Sequence, residues 1–113
     1  MISNFEEITK ELSESEMEMI EPLIRGFKLR GKDNPVKAPE IVRGMKNKGY
    51  QISEPRLRKC VNYIRSNGLL PLIATSNGYY VSYDKDEIKT QIKSLHQRAS
   101  SIHKCAKGLE KFT

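Results

Sequence analysis

The chain has 113 residues, of which 37% are hydrophobic and 30% charged, and its formal net charge is +6. This length suits one domain with a modest core. No apolar run approaches the roughly 18 residues that span a bilayer, and the acidic N-terminus lacks the basic start of a signal peptide, so we expect a cytoplasmic protein.

The charge is distributed unevenly along the chain. Residues 1–21 contain seven glutamates and one lysine, whereas the remainder contains 19 basic and seven acidic residues. A basic body behind an acidic leading segment favours a polyanionic partner for the body. A basic surface that only meets solvent is the alternative that charge alone leaves open.

The first helix is predicted from a capping box. Ser13 and Glu16 place its start at about residue 14, and residues 2–12 are a candidate for a further short amphipathic helix. Pro22 makes the segment either one kinked helix or two pieces. The apolar residues at helical spacing, which predict the buried face, are Met17, Ile20, Leu23 (or Ile24) and Phe27.

A second helix follows the turn signal GKDNP at residues 31–35. Val36-Lys37 is a candidate for a very short strand, and Ala38-Pro39 then opens the helix, because proline in a first turn costs little. Gly49 closes this helix. Its predicted buried stripe is Ile41, Val42 and Met45.

A third helix is predicted between its N-cap, Ser53, and its stop signal, Gly68. The apolar residues that share one face at 100° per residue are Leu57, Cys60, Val61 and Ile64. The side of this helix that is predicted to face solvent carries mainly cationic and hydrogen-bonding side chains. Its centre is formed by Lys59, Asn62 and Ser66, with Arg56 and Tyr63 on one flank and Arg58 and Arg65 on the other.

A β-hairpin is predicted next, because two strand-like runs, residues 69–75 and 79–83, flank Ser76-Asn77-Gly78. Pro71 indicates that the first strand is an edge strand or begins after the proline. The adjacent Tyr79-Tyr80 alternate faces, so we expect one ring in the core and the other exposed.

A long helix completes the chain. Asp84 and Glu87 form a second capping box, and the absence of proline and glycine before Gly108 predicts about six turns. Its apolar residues follow an a/d heptad pattern over three repeats: Ile88, Ile92, Leu95, Ala99, Ile102, Ala106 and Leu109. Cys60 and Cys105 lie inside helical patterns and are expected to be free, buried thiols.

This order of elements is that of a winged helix-turn-helix domain. Residues 49–88, GYQISEPRLRKCVNYIRSNGLLPLIATSNGYYVSYDKDEI, resemble the helix-turn-helix and wing of small bacterial and phage winged-helix proteins. The shared features are a basic recognition helix with an LR pair, an apolar strand, a turn, a GYY strand and an acidic-capped helix. The resemblance covers roughly residues 36–90 and implies an α+β fold, mainly helical with a small hairpin. We therefore expect an acidic extension over residues 1–12, a winged domain over 13–84 and a long helix over 85–113.

The resemblance implies sequence-specific binding of double-stranded DNA by a small transcriptional regulator. Arginine and lysine pair with guanine and asparagine with adenine in the major groove, and residues near the start of a recognition helix reach the bases. The predicted base-contacting residues are Arg56, Arg58, Lys59 and Asn62. The remaining predicted DNA-binding residues are Arg43, Lys46, Lys48, Tyr63, Arg65, Ser76 and Asn77.

Two alternatives stay open at this stage: a phage replication or recombination accessory protein, and a winged helix that binds a protein. We expect the long helix to form a homodimer, because a winged body needs only about one of its turns; packing within one chain is the alternative. No phosphate-binding loop or nucleophile motif is present, and His96, His103 and Cys105 lack the spacing and fourth ligand of a zinc site. We therefore predict no enzymatic activity, no cofactor and no small-molecule substrate.

Overall fold

The computed structural model of the chain describes residues 11–113, so the predicted helix over residues 2–12 lies almost wholly outside the described part. The elements are α1 (Glu14–Phe27), α2 (Ala38–Asn47), α3 (Glu54–Ser66), β1 (Leu72–Thr75), β2 (Gly78–Val81) and α4 (Lys85–Glu110). The predicted α+β class, mainly helical with one small antiparallel hairpin, is confirmed. One compact unit ends at Ser82 and the other comprises Tyr83–Thr113. Within residues 11–113, every helix is too short or too polar to cross a membrane.

Helix α1 begins with the predicted capping box. The Ser13 hydroxyl accepts from the Glu16 backbone N–H at 3.3 Å, and the Glu16 carboxylate accepts from the Ser13 backbone N–H at 2.9 Å. The helix continues through Pro22 to Phe27, so the two-piece alternative is wrong.

The predicted buried face of α1 is wrong at its first position. Met17 is exposed, whereas Glu16 and Met19 are buried with Ile20. Glu16 and Met17 both lie at helical spacing from Ile20, so the period alone allows either residue on the buried face. Periodicity favours methionine because it counts glutamate as polar, but ion pairs from α3 neutralise Glu16 and allow its burial.

Helices α2 and α3 form as predicted, although only Met45 of the predicted buried stripe of α2 is buried, and Ile41 and Val42 are half-buried against the core. Pro39 occupies the first turn of α2, and Gly49 follows its end with a φ of 94°, a left-handed conformation that favours glycine. Ser53 caps α3 by accepting from the Arg56 N–H, and Gly68 follows its end with a φ of 61°. All four residues of the predicted apolar face of α3 are buried: Leu57, Cys60, Val61 and Ile64. Helix α3 packs against both α1 and α2 and forms the centre of the core.

The hairpin also follows the prediction, since β1 begins immediately after Pro71 and a two-residue turn connects it to β2. Val36 pairs with Tyr79 through two backbone hydrogen bonds of 2.9 and 2.8 Å, so the candidate short strand is a single bridge beside β2. A Cβ at Gly78 would lie 2.5 Å from the Val36 carbonyl oxygen, and Gly78 has a φ of 123°. Only glycine fits there without a backbone shift.

The two tyrosines of β2 are placed differently from the expectation. Tyr80 is buried, and Tyr79 is half-buried with its ring 5.7 Å from that of Phe27 in an edge-to-face arrangement. The expectation that one of the two would be exposed is therefore wrong. Burial does alternate along β2, and Tyr79 is half-buried because Phe27 of α1 packs against its ring.

Helix α4 has 26 residues and continues through Gly108 to Glu110. The Asp84 carboxylate caps its start by accepting from the N–H groups of Asp86 and Glu87 at 2.8 and 3.2 Å. None of the residues of α4 is buried. Both cysteines are free; Cys60 is buried as expected, but Cys105 is exposed, so that part of the prediction is wrong.

Candidate nucleic-acid interface

A buried carboxylate joins α1 to the polar side of α3. Glu16 is 3% exposed. Its carboxylate accepts from Lys59 Nζ at 2.7 Å and from Arg56 Nε at 3.0 Å. The two cations extend from one flank of α3 toward α1, so this flank of the predicted recognition helix faces the protein interior.

The guanidinium of Arg56 is held from three directions. In addition to Glu16, it donates to the backbone carbonyl of Gln51 at 2.7 Å and to the hydroxyl of Ser15 at 2.9 Å. The planar fork of arginine suits such a multidentate site. Arg56 therefore ties α1, α3 and the segment before α3 together.

The ionisation of Glu16 reflects these contacts. Burial by itself raises the pKa of a carboxyl group, but hydrogen bonds from Lys59, the Ser13 backbone and Arg56, together with the charge of Lys59, outweigh it. The pKa of Glu16 is lowered from 4.5 to about 2. The group is thus a carboxylate at neutral pH and neutralises much of the charge on this flank.

The opposite flank of α3 faces the hairpin. Burial raises the pKa of the Tyr79 hydroxyl, while the nearby charges of Arg58 and Arg65 act in the opposite direction. Both arginines are half-buried, and the effect of their charges on Tyr79 indicates that they lie near β2. Arg58 has no ion-pair partner within residues 11–113, so its charge is available to an external anion.

Asn62 lies between the two flanks of α3. It is half-buried, and within the described part of the chain its amide has no hydrogen-bond partner. Asn62, Lys59 and Tyr63 line a shallow surface depression with Leu12 and Met17 of the α1 region. Tyr63 also packs against the core, which makes it a supporting residue of the fold as well as a surface residue.

Helix α2 adds further positive charge to the same compact unit. Its predicted contact residues Arg43, Lys46 and Lys48 are all exposed and have no ion pairs among the described residues. The one acidic residue of α2, Glu40, pairs with Arg30 at 3.2 Å. The three exposed cations are therefore not neutralised by their own helix.

The predicted hairpin contacts lie in the turn. Ser76 and Asn77 are exposed, and the Asn77 backbone N–H donates to the Thr75 hydroxyl at 3.2 Å. The turn carries no basic side chain, so only its polar groups and backbone are available to a partner.

Sequence reasoning missed Glu16 as the partner of α3. Glu16 is 43 residues from Lys59 in sequence, so no local pattern links the two. Its place at the N3 position of the α1 capping box predicts only a local role. No family model, curated protein or solved structure matches this chain.

Proposed function

We propose that this protein binds double-stranded DNA sequence-specifically through a winged-helix arrangement and acts as a small transcriptional regulator. The observation that carries the proposal is the solvent-facing side of α3, where Arg58 and Asn62 have no ion-pair or hydrogen-bond partner among residues 11–113 and Arg58 lies near the hairpin. An amphipathic helix with such a face suits the major groove.

The intramolecular contacts of α3 divide the predicted base-contacting residues into two pairs. Arg58 and Asn62 are free to bind a base edge, whereas Arg56 and Lys59 would have to leave a buried carboxylate first. Moving Arg56 or Lys59 to a base edge would leave the buried Glu16 carboxylate with one charged partner fewer, a cost that offsets much of the roughly 1 to 3 kcal/mol that a good base contact contributes. We therefore assign base contact to Arg58 and Asn62 and a positioning role to Arg56 and Lys59.

Four cations would hold the DNA backbone, namely the exposed Arg43, Lys46 and Lys48 and the half-buried Arg65. Arg43, Lys46, Lys48 and Arg65 together suggest about four phosphate contacts, so the logarithm of the binding constant should fall with the logarithm of salt concentration with a slope of about −4. Ser76 and Asn77 would add polar contacts to phosphate from the hairpin turn.

Selection of bound duplexes from a random pool tests the proposal, followed by anisotropy measurements with the selected duplex. We expect Arg58→Ala to weaken binding about tenfold or more while the melting temperature stays unchanged. Arg56→Ala should lower the melting temperature instead. Arg25→Ala, at an exposed arginine of α1, is the control and should change neither.

Absence of duplex binding at low salt by the folded protein would refute the DNA-binding proposal. So would binding that is equally strong in the Arg58→Ala variant and shows no sequence preference. The first result would favour the protein-interaction alternative.

We also infer that α4 forms a homodimer. The larger apolar side chains of its heptad stripe, from Ile92 to Leu109, are between 40% and 66% exposed. A second copy offers the same a/d stripe, which is the self-complementary partner that a two-fold interface needs. Ile102→Asp should convert the dimer to a monomer in light scattering, whereas Ser101→Asp, outside the stripe, should not; a monomeric wild-type protein would refute the inference.

A further inference from the structure

The apolar stripe of α4 is exposed along most of its length. Its four large exposed side chains, between 40% and 66% accessible, are Ile92, Leu95, Ile102 and Leu109. The two alanines of the stripe, Ala99 and Ala106, are exposed as well. Ile88, at the start of the helix, is half-buried. The part of the stripe that still needs a partner therefore runs from Ile92 to Leu109.

The order of side-chain sizes along this stripe distinguishes two ways of pairing it with a second copy. In a parallel pair each residue faces its own counterpart, so Ala99 would meet Ala99 and Ile102 would meet Ile102. Layers of two small side chains would then alternate with layers of two large ones along the pair. The small layers would leave space unfilled, which close-packed interfaces avoid.

An antiparallel pair fills its layers evenly. When the two-fold axis passes through the middle of the stripe, each alanine faces a large side chain of the second copy. The facing pairs, each of which occurs twice by symmetry, are Ile92 with Leu109, Leu95 with Ala106, and Ala99 with Ile102. Large and small residues at facing positions interdigitate at the density of a protein core. The sequence of the stripe is therefore complementary to itself in reverse.

The residues that flank the stripe favour the same orientation. In an antiparallel pair the same flank of both helices meets, which brings Lys89 opposite Glu110 of the second copy. Both side chains are exposed and have no ion pair among residues 11–113. In a parallel pair Lys89 would face Asp84, whose carboxylate already caps α4, and Glu110 would face Cys105. The charges on α4 thus complement an antiparallel second copy.

We propose that two copies of this chain pair through α4 in antiparallel orientation, with Ala99 of each helix against Ile102 of the other and a Lys89–Glu110 ion pair at each end. This arrangement rests on the homodimer proposed for α4 and does not depend on DNA binding. At 1.5 Å per residue, it separates the starts of the two α4 helices by about 45 Å. Parallel pairing would place these starts side by side.

A distance measurement across the dimer tests the orientation. The full chain carries Cys105→Ser, which removes the exposed native thiol, and Lys85→Cys at the exposed start of α4, which accepts a nitroxide label. Cys60 is buried, so the label attaches at position 85. We expect pulsed electron paramagnetic resonance to give a distance of about 45 Å between the two labels.

The outcomes separate the orientation from the dimer itself. A distance below about 20 Å, as expected for neighbouring helix starts, would overturn the antiparallel arrangement and leave the homodimer standing. A monomer in light scattering on the same sample would overturn both. DNA binding is measured separately and is not decided by either result.

An exchange of charges tests the ion pairs independently of any label. In the antiparallel pair, Lys89→Glu and Glu110→Lys each place like charges opposite each other and should weaken dimerisation about threefold to tenfold in sedimentation equilibrium. The double variant restores opposite charges and should associate as the wild type does. Lys107→Glu, an equal change of charge outside the stripe and its flanks, is the control and should leave association unchanged. A double variant that stays as weak as Lys89→Glu would contradict the proposed pairing.

Discussion

Replacement of Glu16 by glutamine tests the main structural conclusion, that a carboxylate from α1 holds one flank of α3. The substitution preserves the shape of the side chain and removes its charge. Lys59 and Arg56 then lose their anionic partner, and one acceptor oxygen becomes an amide group that cannot accept a hydrogen bond.

The magnitude follows from the pKa of Glu16. Its fall from 4.5 to about 2 corresponds to roughly 3 kcal/mol of stabilisation of the folded state at neutral pH. Arg56 is 33% exposed, so solvent screens part of this interaction, and the remaining amide oxygen still accepts one hydrogen bond. We therefore expect Glu16→Gln to lower the free energy of unfolding by about 2 kcal/mol at pH 7.

The effect should depend on pH in a defined direction. Because the folded-state pKa is depressed, the contribution of Glu16 is fully present above pH 4.5 and is lost as the pH falls toward 2. Urea unfolding of wild type and Glu16→Gln at a series of pH values should therefore show a difference that shrinks across this window.

The control for this measurement is Glu21→Gln, at a carboxylate of the same helix that is 83% exposed and pairs with Arg25. It should change the free energy of unfolding by less than about 0.5 kcal/mol. A difference at Glu16 as small as that at Glu21, or one that is equally large at pH 7 and pH 2.5, would refute the reasoning.

Three further predictions concern other parts of the molecule. Burial raises the pKa of the Cys60 thiol to about 11, so native protein at pH 8 should react with Ellman's reagent rapidly at one thiol, and Cys105→Ser should remove that fast phase. Gly78→Ala should lower the free energy of unfolding by about 2 kcal/mol or more in urea titrations, because its Cβ would collide with the Val36 carbonyl; an unchanged stability would contradict the geometry. In circular dichroism melts, Gly26→Ala should raise the melting temperature, since it adds helix propensity in open space; a lower one would show that Gly26 is needed for packing.

The boundaries of the elements were predictable because they depend on local chemistry. Ser13 and Ser53 satisfy the N–H groups of the first turns of α1 and α3, and Gly49 and Gly68 adopt the left-handed conformation after α2 and α3. These requirements are met within a few residues of chain, so they can be seen in the sequence alone. Gly108 does not end α4, because glycine permits a helix stop without enforcing it.

The buried side of α1 was not predictable in the same way. Met17 and Glu16 are adjacent, and only the positions of Lys59 and Arg56 on another helix make the charged residue the buried one.

The sequence by itself determined the class of fold, the caps and turns, the apolar face of α3 and the basic character of the unit that ends at Ser82, because each depends on residues close together in the chain. The tertiary structure decided which cations remain available to a partner. Arg56, Lys59 and Arg58 all lie on the polar side of α3 in a helical projection, but Glu16 comes from 40 or more residues away to pair with the first two and not with the third. Pairing across such a distance depends on how the helices pack. For that reason one flank of α3 is held by Glu16 of α1, and the other flank remains the candidate recognition surface.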